Sequence, residues 1–433
     1  MSPVTVGLIG IAILVFLLFL RMPVGLVMAS VGFTGFAYLT SIEGAFGILR
    51  SVPFVTAASY DLSVLPLFLL MGTFAFYSGM SEGLYRSAYK WIGAYPGGLA
   101  MATIIGCTGF AAVSGSTLAT AATMGMIALP EMKKYHYDSA LATGAVASGG
   151  SLGILIPPSS IFIIYGIITE QSIGELFIAG VIPGLLLAVL FVLIITARVR
   201  WNQKLGPPGE RVGLHERLAS LRDCWGVLAL FVLIIGGLYA GLFTPTEAAG
   251  VGAFGAFLFA LFKNRLTWAN TIAAMTETMR STAMIFVIVI GAMIFGYFLA
   301  ISRLPYELAT LVGSLPVSPY VVLVAILVVY ILLGCIMDTL AMVILTVPIF
   351  YPVIVKLGFD PIWFGVVMVL VSEMGVITPP VGLNVYVIHG VAKDVPLFTI
   401  FRGILPFLYM MFLCLLLIIL FPKIALFLPG LMK

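Results

Sequence analysis

Apolar residues along this chain come in runs long enough to cross a bilayer, which takes about 20 helical residues, or fewer for a hairpin that only dips in. The pattern predicts spans over 4–20, 24–41 and 62–80, the first closed by Arg21 and Pro23. Segment 42–61 is mixed, holding Glu43, Arg50 and Asp61. Residues 82–91 read as an amphipathic surface helix, with Arg86 and Lys90 at i,i+4 on one face. Further spans are expected over 172–197, 223–242, 246–262, 268–301 and 396–420, and an interfacial segment over 305–315. Segment 198–222 is the one long polar linker, interrupted by Gly206, Pro207, Pro208 and Gly209.

Two stretches do not fit plain spans. Residues 97–132 are too long for one crossing and carry Ser114-Gly-Ser116 amid small residues, which predicts a re-entrant hairpin with its tip at Ser114–Thr117. Residues 317–355 repeat the pattern, with the tip at Cys335–Thr339. Each hairpin is followed by a span with a broken middle. In 137–168 the break is Gly149-Gly-Ser-Leu-Gly-Ile-Leu-Ile-Pro-Pro-Ser-Ser160, and in 361–391 it is Gly375-Val-Ile-Thr-Pro-Pro-Val-Gly382. Paired prolines remove backbone donors and clash with the preceding turn, and the glycines loosen what remains. Broken backbone survives at membrane depth only where protein buries it or it lines a wet cavity.

The two regions are one repeat. Ser116 to Asp338, Pro130 to Pro352, Asp138 to Asp360 and Pro157-Pro158 to Pro379-Pro380 are each separated by 222 residues. Matching interrupted segments in two halves of a membrane chain point to a secondary-transporter site near the bilayer midplane.

Composition agrees. Of 433 residues 62% are hydrophobic and 9% charged, against roughly 25% charged in a soluble domain, and the mean hydropathy is +1.21. The chain reads as a polytopic protein of the lipid bilayer. Its net charge of +4 lies in loops, which excludes a nucleic-acid partner. Cys107, Cys224, Cys335 and Cys414 show neither metal spacing nor a disulfide framework and read as apolar packers. The first apolar run has no charged leader or cleavage pattern and reads as a retained helix. No Gly-x4-Gly-Lys-Ser/Thr occurs, which argues against an ATP-driven pump. With the N-terminus outside, sixteen of the 21 Lys and Arg, Arg21 included, fall on the cytoplasmic side, while Arg50, Arg303, Lys356, Lys423 and Lys433 stay outside. The first hairpin then enters from the cytoplasm and the second from outside, so the repeats are inverted.

A hairpin tip meeting a broken helix gathers carbonyls that can hold a cation and N–H groups that favour an anion. Ser114 and Ser116 are candidates at the first tip, with close helix packing as the alternative. Asp338, costing roughly 3 kcal/mol in a bilayer if unpaired, should ligate a cation or cap the helix after the tip. Glu373 either holds the broken span through a hydrogen bond or lies near the cation. Asn384 can read a ligand polar group or serve as an N-cap, and one or more of Ser159, Ser160 and Thr378 should contact ligand. His389 reads as an interhelical hydrogen-bonder.

The stretches Ser114-Gly-Ser, Ala147-Ser-Gly-Gly-Ser-Leu-Gly-Ile-Leu-Ile-Pro-Pro-Ser159, Phe177-Ile-Ala-Gly-Val-Ile-Pro-Gly184, Thr244-Pro-Thr-Glu-Ala-Ala249, Met337-Asp338, Asp360-Pro-Ile-Trp-Phe-Gly365 and Thr378-Pro-Pro-Val-Gly-Leu-Asn384 resemble the DctM-type large membrane subunit of TRAP (tripartite ATP-independent periplasmic) transporters. The resemblance runs over roughly residues 5–425. It implies an all-α polytopic membrane protein with inverted repeats, an elevator-type transporter of the ion-transporter superfamily. It also implies coupling to two or more Na+ ions. Carried over by motif, Ser114, Gly115, Ser116, Gly153 and Pro157 would hold the first ion, and Gly334, Met337, Asp338, Gly375 and Thr378 the second. The implied partners are a small four-helix membrane subunit (DctQ-type), expected as a separate chain, and a periplasmic substrate-binding protein (DctP-type) that delivers an organic anion, a carboxylate or sulfonate. The implied location is the bacterial inner membrane.

The expected division is scaffold over 1–92, transport domain over 93–168, scaffold over 169–316, transport domain over 317–391 and a closing scaffold helix over 392–433. Two other readings compete with a symporter subunit: an intramembrane serine protease using Ser114 and His389, which leaves the repeat unexplained, and a passive anion channel.

Overall fold

The computed structural model describes residues 1–20, 22–314 and 316–432. Arg21 and Lys433, counted in the charge asymmetry, and Leu315, at the end of the expected interfacial segment, lie outside the described residues. Every regular element among the described residues is a helix. The chain opens with α1 (Pro3–Phe19), α2 (Val24–Leu39), α3 (Ile42–Ala57), α4 (Val64–Tyr77) and α5 (Met80–Ile92). The first hairpin is α6 (Gly98–Ser114) and α7 (Thr117–Lys134), and the first broken helix is α8 (Ser139–Gly150), α9 (Leu152–Leu155) and α10 (Ser160–Thr169). Then come α11 (Ile173–Trp201), α12 (Leu214–Tyr239), α13 (Pro245–Phe262), α14 (Trp268–Ser302) and α15 (Leu304–Ser314). The second hairpin is α16 (Pro319–Gly334) and α17 (Thr339–Lys356), and the second broken helix α18 (Pro361–Ile377) and α19 (Leu383–Val391). The chain closes with α20 (Leu397–Leu420) and α21 (Lys423–Gly430).

The repeat read from the sequence fixes local structure residue by residue. Helices α7 and α17 both contain 18 residues and start 222 positions apart. Ser116 and Asp338 are their N-caps. Asp138 and Asp360 cap α8 and α18, each accepting a backbone N–H at 2.9 Å, from Leu141 and Trp363. A short polar side chain at these positions satisfies donors that a buried helix start would otherwise leave open.

Helices pack in two groups. In the first, α2 meets α14 where Gly25 and Gly291 bring the backbones into contact, and Gly252 of α13 rests on Met71 of α4. In the second, α8 meets α20 through Gly144 and Gly403, whose backbones touch. Gly180 and Gly184 of α11 receive Leu155 and Ile156 from the first break. Trp363 of α18 donates to the Ile418 carbonyl of α20 at 3.0 Å. Helices α11 and α20, which the sequence reading put in the scaffold, therefore pack on the hairpin side. Lipid and protein are equally apolar, so hydropathy names a span without naming its neighbour; small residues do that.

Three further differences are local. Within segment 42–61 residues Ile42–Ala57 form a helix, α3, with Pro53 inside it. The linker is shorter than 198–222, because α11 runs to Trp201 and α12 starts at Leu214. What remains is held by backbone bonds, Gly97 N–H to Gly206 O and Gly209 N–H to Gly93 O, both 2.8 Å. Beyond the expected closing span there is also α21. Among the described residues seven helices are long and apolar enough to cross a membrane, or eight if the bent pair 42–77 counts as one.

A Cβ on Gly403 would overlap the Ala140 carbonyl. Gly403→Leu is expected to destabilise by about 3 kcal/mol through overpacking, read as a lowered Tm in detergent. Gly236→Leu, where nothing lies within 4 Å, should melt like the parent.

Candidate functional site

Helix α6 ends at Ser114, and Gly115 turns the chain with φ +59°. A methyl at Gly115 would sit 2.8 Å from the Pro158 carbonyl, so the tip lies directly on the first break. Ser160 seals the contact by donating to the Gly115 carbonyl at 3.0 Å. Ser114 Oγ is 2.7 Å from Thr120 Oγ1. Gly153 allows the approach from the other side: a Cβ there would fall 2.5 Å from Ser116 O and 2.7 Å from Thr120 Oγ1. Hydroxyl and carbonyl oxygens thus converge where the first hairpin, α9 and the Pro157–Pro158 turn meet.

The second tip is built alike with different side chains. Gly334 ends α16, and a Cβ on Gly375 would come 2.7 Å from the Gly334 Cα, so α16 and α18 touch backbone to backbone. Asp338 caps α17 by accepting from Ala341 N–H at 3.5 Å, and Met337 beside it is buried. Thr378 donates to the Met374 carbonyl at 2.5 Å. Among the described residues no group of three or more His, Cys, Asp or Glu stands together; the donors at both tips are hydroxyls, carbonyls and one carboxylate.

Glu373 connects the tips. Its side chain is buried, and it accepts from Thr117 at 2.8 Å with one oxygen and from Thr339 at 3.0 Å with the other. Of the two roles open for Glu373, the geometry provides the hydrogen-bonding one, and its partners are the hairpins. A hydrogen bond of this kind is worth about 0.5–1.5 kcal/mol net, and leaving a buried carboxyl oxygen without a partner costs about 1–3 kcal/mol.

Between the tips and the first group of helices lies a cavity of about 160 Å³. Five pairs of its lining residues are separated by the same 222 positions: Ser116 and Asp338, Thr117 and Thr339, Leu118 and Leu340, Ile154 and Val376, Ile161 and Leu383. The remaining wall is Ser160 with Leu69 of α4 and Ser281, Met284 and Ile285 of α14. The first turns of α7, α10, α17 and α19 all reach this space, through Thr117, Ser160, Thr339 and Leu383. Helix starts carry partial positive charge, and no Lys or Arg is in the lining.

The breaks differ in exposure. Pro157 and Pro158 are buried, whereas Pro379 and Pro380 are exposed, although residues flanking both breaks line the cavity. Ser160 lines it, but Ser159 is buried and caps α10 by accepting from Phe162 N–H at 3.3 Å. Asn384 is also buried outside the lining and donates to the Ala147 carbonyl at 3.2 Å. His389 Nδ1 lies 3.0 Å from Val395 O while Ser114 Oγ pairs with Thr120, so the two do not form a nucleophile–base pair here. Sequence reasoning placed Thr117 and Thr339 at the tips without giving them a role, and missed Thr120 and Ser281. Thr120 was legible as a hydroxyl one turn after the tip candidate Ser116; Ser281 carried no signal.

The sequence pattern described as "Tripartite ATP-independent periplasmic transporter, DctM component" matches residues 11–424. The chain belongs to this family. It is similar to the C4-dicarboxylate TRAP transporter large permease protein DctM of Pseudomonas aeruginosa, with 40% identity over 87% of this chain and 88% of that protein. It is also similar to the isethionate TRAP transporter permease protein DctMQ of Oleidesulfovibrio alaskensis, with 33% identity over 92% of this chain and 63% of that one. Among solved structures, Neisseria gonorrhoeae MtrF shares the fold at a TM-score of 0.62 and 15% identity, covering 98% of this chain and 95% of MtrF. Like other members of the family, this is a multi-pass membrane transporter subunit, with an all-α fold of inverted repeats.

Gly115→Ala places a side chain at positive φ and against Pro158. It is expected to lower stability by about 2 kcal/mol, visible as a fall in Tm; an unchanged Tm would show that tip and break are not in firm contact.

Proposed function

We propose that this TRAP large permease is the membrane core of a sodium-coupled importer of a small organic anion, working in the inner membrane with its N-terminus periplasmic. The observation that carries the reading is the cavity lined by five pairs at one sequence separation. It brings four helix starts and one carboxylate together in a space without a basic side chain. Helix N-termini suit an anionic group, and cations at the tips would complete its neutralisation. Relatives named for C4-dicarboxylates and isethionate support an organic acid, a carboxylate or sulfonate.

The first Na+ belongs with the oxygens at Ser114, Gly115, Ser116, Gly153 and Pro157, with Thr120 added by its position beside Ser114. The second belongs at Gly334, Met337, Asp338, Gly375 and Thr378. Substrate contacts fall to Ser160 and Ser281, which line the cavity, and to Thr378 at the second break, while the hydroxyls of Thr117 and Thr339 are committed to Glu373. The moving unit of an elevator stroke comprises both hairpins and both broken helices together with α11 and α20. It slides against α1–α4, α13 and α14, the contact running through Leu69 and α14. A periplasmic binding protein delivers the substrate. A DctQ-type small subunit completes the assembly, a reading supported by a relative whose name joins M and Q.

The full chain, co-reconstituted into proteoliposomes with its small subunit and binding protein, should accumulate the acid only with an inward sodium gradient. Asp338→Asn should raise the half-saturating sodium concentration about tenfold, a 1.4 kcal/mol loss. Equal uptake with and without sodium would overturn the coupling.

A further inference from the structure

Among the described residues Glu373 is the side chain hydrogen-bonded to both hairpins. Its partners are equivalent residues: Thr117 and Thr339 are 222 positions apart, each the first residue of its helix and each next to the N-cap, Ser116 or Asp338, that lines the cavity. The carboxylate itself has no such twin. The position 222 residues earlier is Ser151, whose hydroxyl is spent on the Ser148 carbonyl in its own helix at 2.6 Å. The inverted halves thus share one asymmetric pin, placed between their two tips.

We propose that Glu373 is a positioning residue that couples the two cation sites. The inference rests on the sodium-symport reading given above. Each hydroxyl is rigidly attached to its tip: Thr117 follows the Ser116 turn directly, and Thr339 follows Asp338. The glutamate is buried and both threonines are largely so, which makes loss of either bond costly. A tip that shifts by an ångström takes its hydroxyl out of hydrogen-bond range and leaves a buried carboxyl oxygen unpartnered. That strain is relieved if the carboxyl group follows, and the group is already bonded to the other tip. Ion binding that fixes one tip therefore fixes the other, and the second ion meets a site whose ordering cost has been met. Glu373 needs no contact with either ion or with substrate for this role.

The link predicts non-additivity. Thr117→Val and Thr339→Val remove one hydroxyl each with little change of shape. Cutting either end breaks the whole connection, so the double variant should be no worse than either single one. In the reconstituted complex the Hill coefficient for sodium in uptake should fall from about 2 to about 1 in both single variants and stay there in the double variant. Hydrogen–deuterium exchange on the full chain with its small subunit reads the same link without transport. Thr117→Val should speed exchange several-fold over residues 336–342 as well as 114–120, and Thr339→Val should do the converse. Parent-like Hill coefficients in the single variants, a Hill coefficient near 1 in the parent, or exchange changes confined to the substituted tip would each overturn the proposal. Failure of the symport reading would look different: uptake by the parent would not depend on sodium, while exchange would still spread from one tip to the other.

Discussion

One carboxyl group joins the two hairpin tips of this protein. Elsewhere the halves are bonded by Tyr165 to the Pro361 carbonyl and Asn384 to the Ala147 carbonyl, and the apolar contact between them is only weakly preferred to contact with lipid. The bonds from Thr117 and Thr339 to Glu373 are directional and largely buried, so they specify how the two tips meet. The backbone depends on that meeting. Each tip and each break interrupts a helix at depth, and the freed carbonyls and N–H groups must find partners inside the protein. Ser116, Asp338 and Ser159 cap helix starts, and Ser160 covers the Gly115 carbonyl. Glycines at 115, 153, 334 and 375 let the broken pieces come close enough for these partnerships.

Much of this was legible in the sequence because it depends on residues that change backbone options. Proline pairs, glycines and N-capping side chains act locally, so a constant separation of 222 located the hairpins, the breaks and the helix starts together. The sides to which spans belong were less legible. Helices α11 and α20 read as generic apolar spans, and their place beside the hairpins follows from Gly180, Gly184 and Gly403, three of the chain's 46 glycines. Ser159 and Ser160 show the same limit at finer grain. They are neighbours in one break, yet the first bonds back to its own helix and the second reaches the cavity. Asn384 was open between ligand contact and capping and does a third thing, holding α19 to α8. Glu373 was open between holding the broken span and lying near the cation, and its partner could not be read, since Thr117 lies 256 residues away in sequence.

The departures from symmetry carry as much chemistry as the symmetry. Equivalent caps are neutral in one half and acidic in the other, Ser116 against Asp338. The same holds for Ser151 against Glu373. Both acidic members belong to the second half, so that half brings carboxyl groups to the tips while the first supplies hydroxyls at the equivalent positions. The two tips therefore differ in donor chemistry.

The unequal exposure of the proline pairs has a geometric consequence. Twin segments in a balanced pseudo-dyad would see the same surroundings. Pro157-Pro158 is enclosed and Pro379-Pro380 is open, so the two breaks, equivalent in sequence, meet different surroundings, and only the second presents its prolines at the surface.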